Sequence, residues 1–168
     1  MADDKKELVI ERIFDAPVEL VWKAWTDPEV FQKWWGPKDF TSPHANIDPK
    51  VGGKYLVSMR GPAGSPFDKE MWSTGHYLEI VPMQKLVVED SFADENGNVV
   101  PASYYGMPGS FPMKAKITIT FEQLEDGKTK MTLTYPSTAG IEGEMLDNMT
   151  QGWNQSFDKL ETSLRPSV

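Results

Sequence analysis

A chain of 168 residues with a formal net charge of −8, six Trp, nine Met and no Cys fits one domain with a core of its own, since domains most often run about 100–150 residues. The lack of cysteine excludes a disulfide framework, a thiolate metal site and a Cys nucleophile, and the acidic balance argues against nucleic acid or an anionic membrane as partner. The opening MADDKKELVIER holds no long apolar run, so neither a secretory signal nor a membrane span is expected, and a cytoplasmic location is.

The first six residues are expected to be flexible. Residues 8–14 (LVIERIF) then read as a first strand. Pro17 suits a first helical position and Glu19 its first turn, while Val18, Val21, Trp22 and Trp25 form one apolar helical face. Asp27-Pro28-Glu29 starts a second short helix that carries Val30, Phe31, Trp34 and Trp35, and Gly36-Pro37 ends it. Trp34 and Trp35 are adjacent and so about 100° apart on that helix, which predicts different roles: one anchors the helix to the sheet, and Trp35 lines a cavity.

From residue 40 onward the pattern turns to strands. Residues 41–48, KYLVSMR (54–60), 71–82 and 85–92 are strands, the last two a hairpin around 81–84. Met113, Ala115, Ile117, Ile119 and Phe121 alternate with polar residues, as do Met131, Leu133 and Tyr135 beyond an Asp126-Gly127 turn. Such alternation predicts an antiparallel sheet with one face buried and one wet. The segment 93–112 is a long loop insertion bearing Tyr104, Tyr105, Met107 and Phe111, a candidate lid because long loops in compact domains are often functional. A final helix over 142–165 has an apolar stripe of Met145, Met149, Trp153, Phe157, Leu160 and Leu164, with Glu142 and Arg165 placed as the helix dipole prefers and Pro166 as the stop. The whole reads as one α+β domain over 1–168.

IERIFDAPVELVWKAWTDPEVFQKWWGP (10–37), IDPKVGGKY (47–55), TGHYLEIVPMQKLVVED (74–90), KITITFEQLEDGKTKMTLTY (116–135) and QGWNQSFDKLETSL (151–164) resemble, in this order, the AHSA1-like (activator of Hsp90 ATPase homologue) family of the START-like, or SRPBCC (Bet v 1-like), superfamily. The resemblance spans nearly the whole chain. It implies a helix-grip fold: a curved antiparallel sheet of about six to seven strands, two short helices after the first strand, and a long C-terminal helix held in the sheet's curve. It also implies an apolar cavity between sheet and helix. The eukaryotic namesake stimulates a chaperone ATPase with the help of an additional N-terminal domain that this chain is expected to lack.

Chemistry-bearing residues are few. His44 and His76 have no third ligand at a recognisable spacing, so no metal is expected and both read as polar strand positions. Glu79, Glu89 and Asp90 lie on the middle strands; a carboxyl facing an apolar cavity would have a raised pKa. Gly52-Gly53 lacks the pattern of a phosphate loop, and no hydroxyl has a triad partner. The expected function is therefore the binding of a small apolar or amphipathic molecule, with no cofactor and no catalytic residue assigned. The cavity set is Trp35, Tyr55, Trp72, Phe111, Met113, Met145, Met149 and Trp153, with His44, His76, Glu79 and Asp90 as polar candidates. An enzyme acting on a hydrophobic substrate, as cyclases and hydrolases of the superfamily do, and a protein-interaction domain, either a chaperone partner of the Hsp90 ATPase activator kind or a homodimer, are the alternatives.

Overall fold

Alternating residues build an edge strand first. In β1 (Leu8–Phe14) Ile10 and Phe14 are buried while Glu11 and Ile13 face out, the period-2 pattern of a sheet with one covered face. The computed structural model describes residues 7–107, 111–141 and 143–164; the first six residues, part of the 93–112 loop, and Glu142, Arg165 and Pro166 lie outside the described residues.

Seven strands form one curved antiparallel sheet in the order β1-β7-β6-β5-β4-β3-β2. They are β1, β2 (Ala45–Ile47), β3 (Lys54–Arg60), β4 (Glu70–Val81), β5 (Lys85–Ala93), β6 (Ala115–Gln123) and β7 (Thr129–Tyr135). Helices α1 (Val18–Thr26) and α2 (Pro28–Phe31) follow β1, and α3 (Gly143–Leu164) closes the chain. This is the helix-grip architecture that the sequence predicts.

The last helix fits the sheet through its second half. Phe157 and Leu160 are fully buried, and Met149, Trp153 and Leu164 pack on the same core from partly exposed positions. Each fully buried large side chain contributes about 1.5–3 kcal/mol. Arg12, on the same face of β1 as Ile10 and Phe14, ties the strand to the helix, donating to the Asn154 carbonyl at 3.2 Å and to Asp158 Oδ1 at 2.8 Å.

Helix α2 is short, and its start is set by Asp27, whose carboxylate accepts from the backbone N–H of Glu29 at 2.9 Å and of Val30 at 3.3 Å. We expect Asp27→Ala to cost about 1 kcal/mol, read as a lower urea midpoint with an unchanged slope.

Three elements differ from the sequence reading. The helix ends at Phe31, and Trp34 and Trp35 follow in turns that bond back to the Phe31 carbonyl. The strand expected over 41–48 shrinks to β2 plus one bridge, Thr41 to Arg60. Pro43 has no N–H for a ladder, and Ser42 turns its hydroxyl to the Ser58 carbonyl at 2.8 Å. Strand β6 starts at Ala115, which leaves Met113 outside it and 47% exposed.

Candidate functional site

A row of directly opposed residues crosses the inner face of the sheet. Tyr55 on β3 faces Gly75 on β4, Gly75 faces Asp90 on β5, and Asp90 faces Ala115 on β6. The two small residues flank the carboxyl. A Cβ on Gly75 would lie 2.5 Å from the Tyr55 hydroxyl and 2.3 Å from the Glu89 carbonyl oxygen. Only glycine lets the phenol lie across β4, where its hydroxyl donates a short hydrogen bond to Asp90 Oδ1.

This row borders a cavity of about 40 Å³ between the sheet and the helices, room for about three water molecules. The sheet contributes Val57, Tyr77, Leu86, Val88, Ile117 and Ile119 beside Tyr55 and Asp90. The helical side contributes Trp25 and Phe31, then Trp35, then Trp153 from α3. Trp35 stacks on Phe31 with centroids 4.8 Å apart and meets Trp153 edge-on at 5.5 Å. The Trp153 indole N–H donates to the Tyr135 hydroxyl at 3.1 Å, which fixes the ring over the cavity.

Among the described residues Asp90 is the one charged group in this lining. Among the described residues no cation forms an ion pair with it, and Tyr55 is its side-chain hydrogen-bond partner. Burial pushes its pKa from 3.8 up to about 7, and the bond from Tyr55 offsets part of that rise. The Tyr55 hydroxyl is itself held well above its ordinary value, first by burial and then by the Asp90 charge. A carboxyl that exchanges its proton near neutrality in an apolar chamber can bind a donor or a cation.

Trp34 and Trp35 part company. Trp34 is fully buried, donates its indole N–H to the Ala24 carbonyl at 2.9 Å, and packs edge-on against Trp25 at 4.8 Å. It thus ties the turn to α1, whereas the sequence reading placed such an anchor on the sheet. Trp35 borders the cavity.

Of the other expected lining residues, Tyr55 and Trp153 are at the cavity and five are not. Trp72 opposes Ser58 and Ala93 on the other face of the sheet, where its ring stacks on His44 at 5.2 Å. Phe111 packs on Phe92 at 5.4 Å, Met113 is exposed, and Met145 and Met149 precede the turn of α3 that reaches the chamber. None of the described residues of 93–112 lines the cavity either. Instead the Tyr105 hydroxyl donates to the Ala93 carbonyl and accepts from the Trp72 N–H at 3.0 Å, pinning the loop to the end of its own hairpin.

Three of the four polar candidates face elsewhere. His44 Nδ1 lies 2.8 Å from Glu70 Oε2 on the surface, and His76 opposes Glu89 with 3.8 Å between ring and carboxylate. Glu79 shares odd parity with Tyr77 but not its face. A bulge between Tyr77 and Glu79 inserts Leu78 and turns Glu79 out to Lys85 at 3.4 Å.

The sequence reading left out Trp25, Phe31, Tyr77 and the aliphatic floor. Its signal was present: Val57 has the parity of Tyr55, and Leu86 and Val88 have that of Asp90. A second, larger groove of about 460 Å³ is open and lies between the side chains of Lys33 and Lys38 on one side and Gln155, Lys159 and Thr162 of α3 on the other. Among the described residues no cluster of three or more acidic, His or Cys side chains is arranged for a metal, and no helix is long and apolar enough to cross a membrane.

Residues 15–165 match the family described as activator of Hsp90 ATPase homolog 1-like protein. Solved structures agree in fold. A crystal structure of a protein from Chromobacterium violaceum has a TM-score of 0.75 at 25% identity, covering 96% of this chain and 98% of its own. A solution structure from Arthrobacter aurescens gives 0.77 at 25% identity, covering 94% of this chain and 85% of its own. A protein from Nitrosomonas europaea gives 0.74 at 22% identity over 97% and 96%. No protein of curated function matches the chain. With all but the first 14 and the last three residues inside the family's match and the fold shared with these solved structures, the chain belongs to the activator of Hsp90 ATPase homolog 1-like family.

Proposed function

We propose that the protein is a receptor for a small apolar or amphipathic molecule, held between the sheet and α3 with its polar end at Asp90. The observation that carries this is the placement of one carboxyl and its tyrosine partner in an otherwise apolar chamber. A half-buried carboxyl with a single side-chain hydrogen bond is disfavoured in its charged form by desolvation, a cost that an apolar pair at positions 55 and 90 would avoid. A group that weakens the fold in a wall of aromatics supports a binding role more than a packing role.

The chamber in its present state is small. Ordinary ligand sites run about 300–1,000 Å³, against about 40 Å³ here. The ligand is therefore either very small or enters by parting Trp35 and Trp153, both partly exposed and touching only edge to face. Of His44, His76, Glu79 and Asp90, only Asp90 borders the chamber, so no two of these candidates form an acid–base pair there. That favours binding over catalysis by these groups.

The test is native mass spectrometry of the purified protein, then a thermal-shift and indole-fluorescence screen of small apolar and amphipathic compounds. A ligand at a hundredfold over its Kd adds about 2.7 kcal/mol, which raises the Tm by about 5–10 °C in a domain of this size. Trp35 and Trp153 should report the same event as a spectral shift. A screen in which no compound moves either signal, and no mass accompanies the chain, overturns the receptor reading.

A further inference from the structure

The chamber is chemically one-sided. Among the described residues six aromatic rings border it, those of Trp25, Phe31, Trp35, Tyr55, Tyr77 and Trp153, and the only charge in its walls is the negative one of Asp90. Among the described residues, no Lys, Arg or His is in its walls. A ligand carboxylate or phosphate would meet a like charge and find no cation. A hydrocarbon would leave the carboxyl with its one bond from Tyr55 and remove what water it has. Each of these leaves the charge of a half-buried carboxylate uncompensated.

A cation has the opposite fit. An ammonium can pair with the carboxylate and also lie against ring faces, whose negative quadrupole attracts it by about 0.5–2 kcal/mol per desolvated contact. We propose that the ligand is a protonated amine with a small apolar body, its ammonium seated at Asp90 among the indole and phenol rings. This rests on the receptor reading and narrows it to one chemical class.

The groups around the carboxyl allow no substitute for that cation. Tyr55 from β3 donates to it, Tyr135 from β7 feels its charge, and Tyr77 from β4 stands beside Tyr55 at 5.8 Å between rings. All three hydroxyls are kept protonated by burial. From α3 the nearest polar group of the lining is the Trp153 indole N–H, already spent on Tyr135. Of the two small residues beside Asp90 in the row, Gly75 is overlain by the Tyr55 phenol, and Ala115 on the other side carries no side chain long enough to cover the carboxyl.

The experiment compares isosteric pairs on the full chain: isobutylamine with isobutanol, and benzylamine with benzyl alcohol. Both are titrated at pH 8.5 and pH 5.5 while the indole N–H resonances are followed by NMR. These amines stay protonated at both values, so the pH change acts on the protein. At pH 8.5 the amine should bind at least tenfold tighter than its alcohol, and the gap should shrink at pH 5.5, where the carboxyl holds its proton. D90N keeps the shape and the acceptor for Tyr55 while removing the charge, and should bring amine and alcohol to within about twofold at both pH values. If alcohol and amine bind wild type equally, or D90N keeps the amine preference, the amine assignment is overturned and the receptor reading stands. If neither member of either pair moves an indole resonance and the broader screen is also silent, both fall together.

Discussion

Gly75→Ala should lower the Tm by about 10 °C, for a loss of about 3 kcal/mol or more. The cause is local and steric. The new methyl would sit 2.3 Å from the Glu89 carbonyl oxygen and 2.7 Å from Tyr55 Cζ, so the β4–β5 ladder and the phenol would both have to shift. Tyr55→Phe removes the hydroxyl at 2.5 Å but neither of the other two contacts. The double variant should therefore stay close to Gly75→Ala alone. Gly52→Ala is the contrast: its φ of +83° is strained for alanine, but no atom lies within 4 Å of the added Cβ. It should cost only about 1 kcal/mol. Thermal melts of the three variants check the ranking. A Gly75→Ala protein as stable as Gly52→Ala would mean that Tyr55 does not lie across β4, and the route from Tyr55 to Asp90 would be lost with it.

The sequence carried the frame of this arrangement but not its hinge points. Alternation in residues 113–135 and the four-residue steps of the last helix each have one physical reading, so the sheet and α3 were legible. The floor of the chamber was legible in the same way, since parity alone puts Val57 with Tyr55 and Leu86 and Val88 with Asp90. Glu79 was not. Counting by twos from Tyr77 puts it in the chamber, and only the bulge at Leu78, which depends on pairing with β5, puts it outside. Trp72 failed for a related reason: size and aromaticity marked it as a wall, yet its parity sets it with Ser58 and Ala93 on the opposite face. Met145 and Met149 share a stripe with Trp153, but a stripe fixes a face and not how far along the helix the chamber reaches. Gly75 was readable in principle, because a glycine inside a strand pattern signals close approach by another group, but the sequence does not say which group approaches.

Asp90→Asn should remove a pH dependence of about 4 kcal/mol from the fold. The unfolded carboxyl titrates at its ordinary 3.8 and the folded one at about 7, and about three units at 1.36 kcal/mol each give that figure. The sign follows from which state holds the proton. Below about pH 4 both do, and the contribution is fully present. Between about 4 and 7 the unfolded chain has released its proton while the folded one keeps it, so stability falls as pH rises. Above 7 both are ionised and the loss is complete. Asp68 and Asp94, held below the usual carboxylate range by the backbone N–H groups of Gly64 and Asn98 first of all, bend the wild-type curve the other way at lower pH. They are common to both proteins and cancel in the difference. The quantity to measure is thus wild type minus Asp90→Asn in urea unfolding across pH 4–8. That difference should move by about 4 kcal/mol against wild type, with most of the change complete by pH 7.5. A flat difference would mean a carboxyl that ionises at its ordinary value, hence a chamber open to water. The amine assignment needs the other result, because only a carboxylate that the fold itself disfavours gains enough from an arriving cation to select it over a neutral ligand of the same shape.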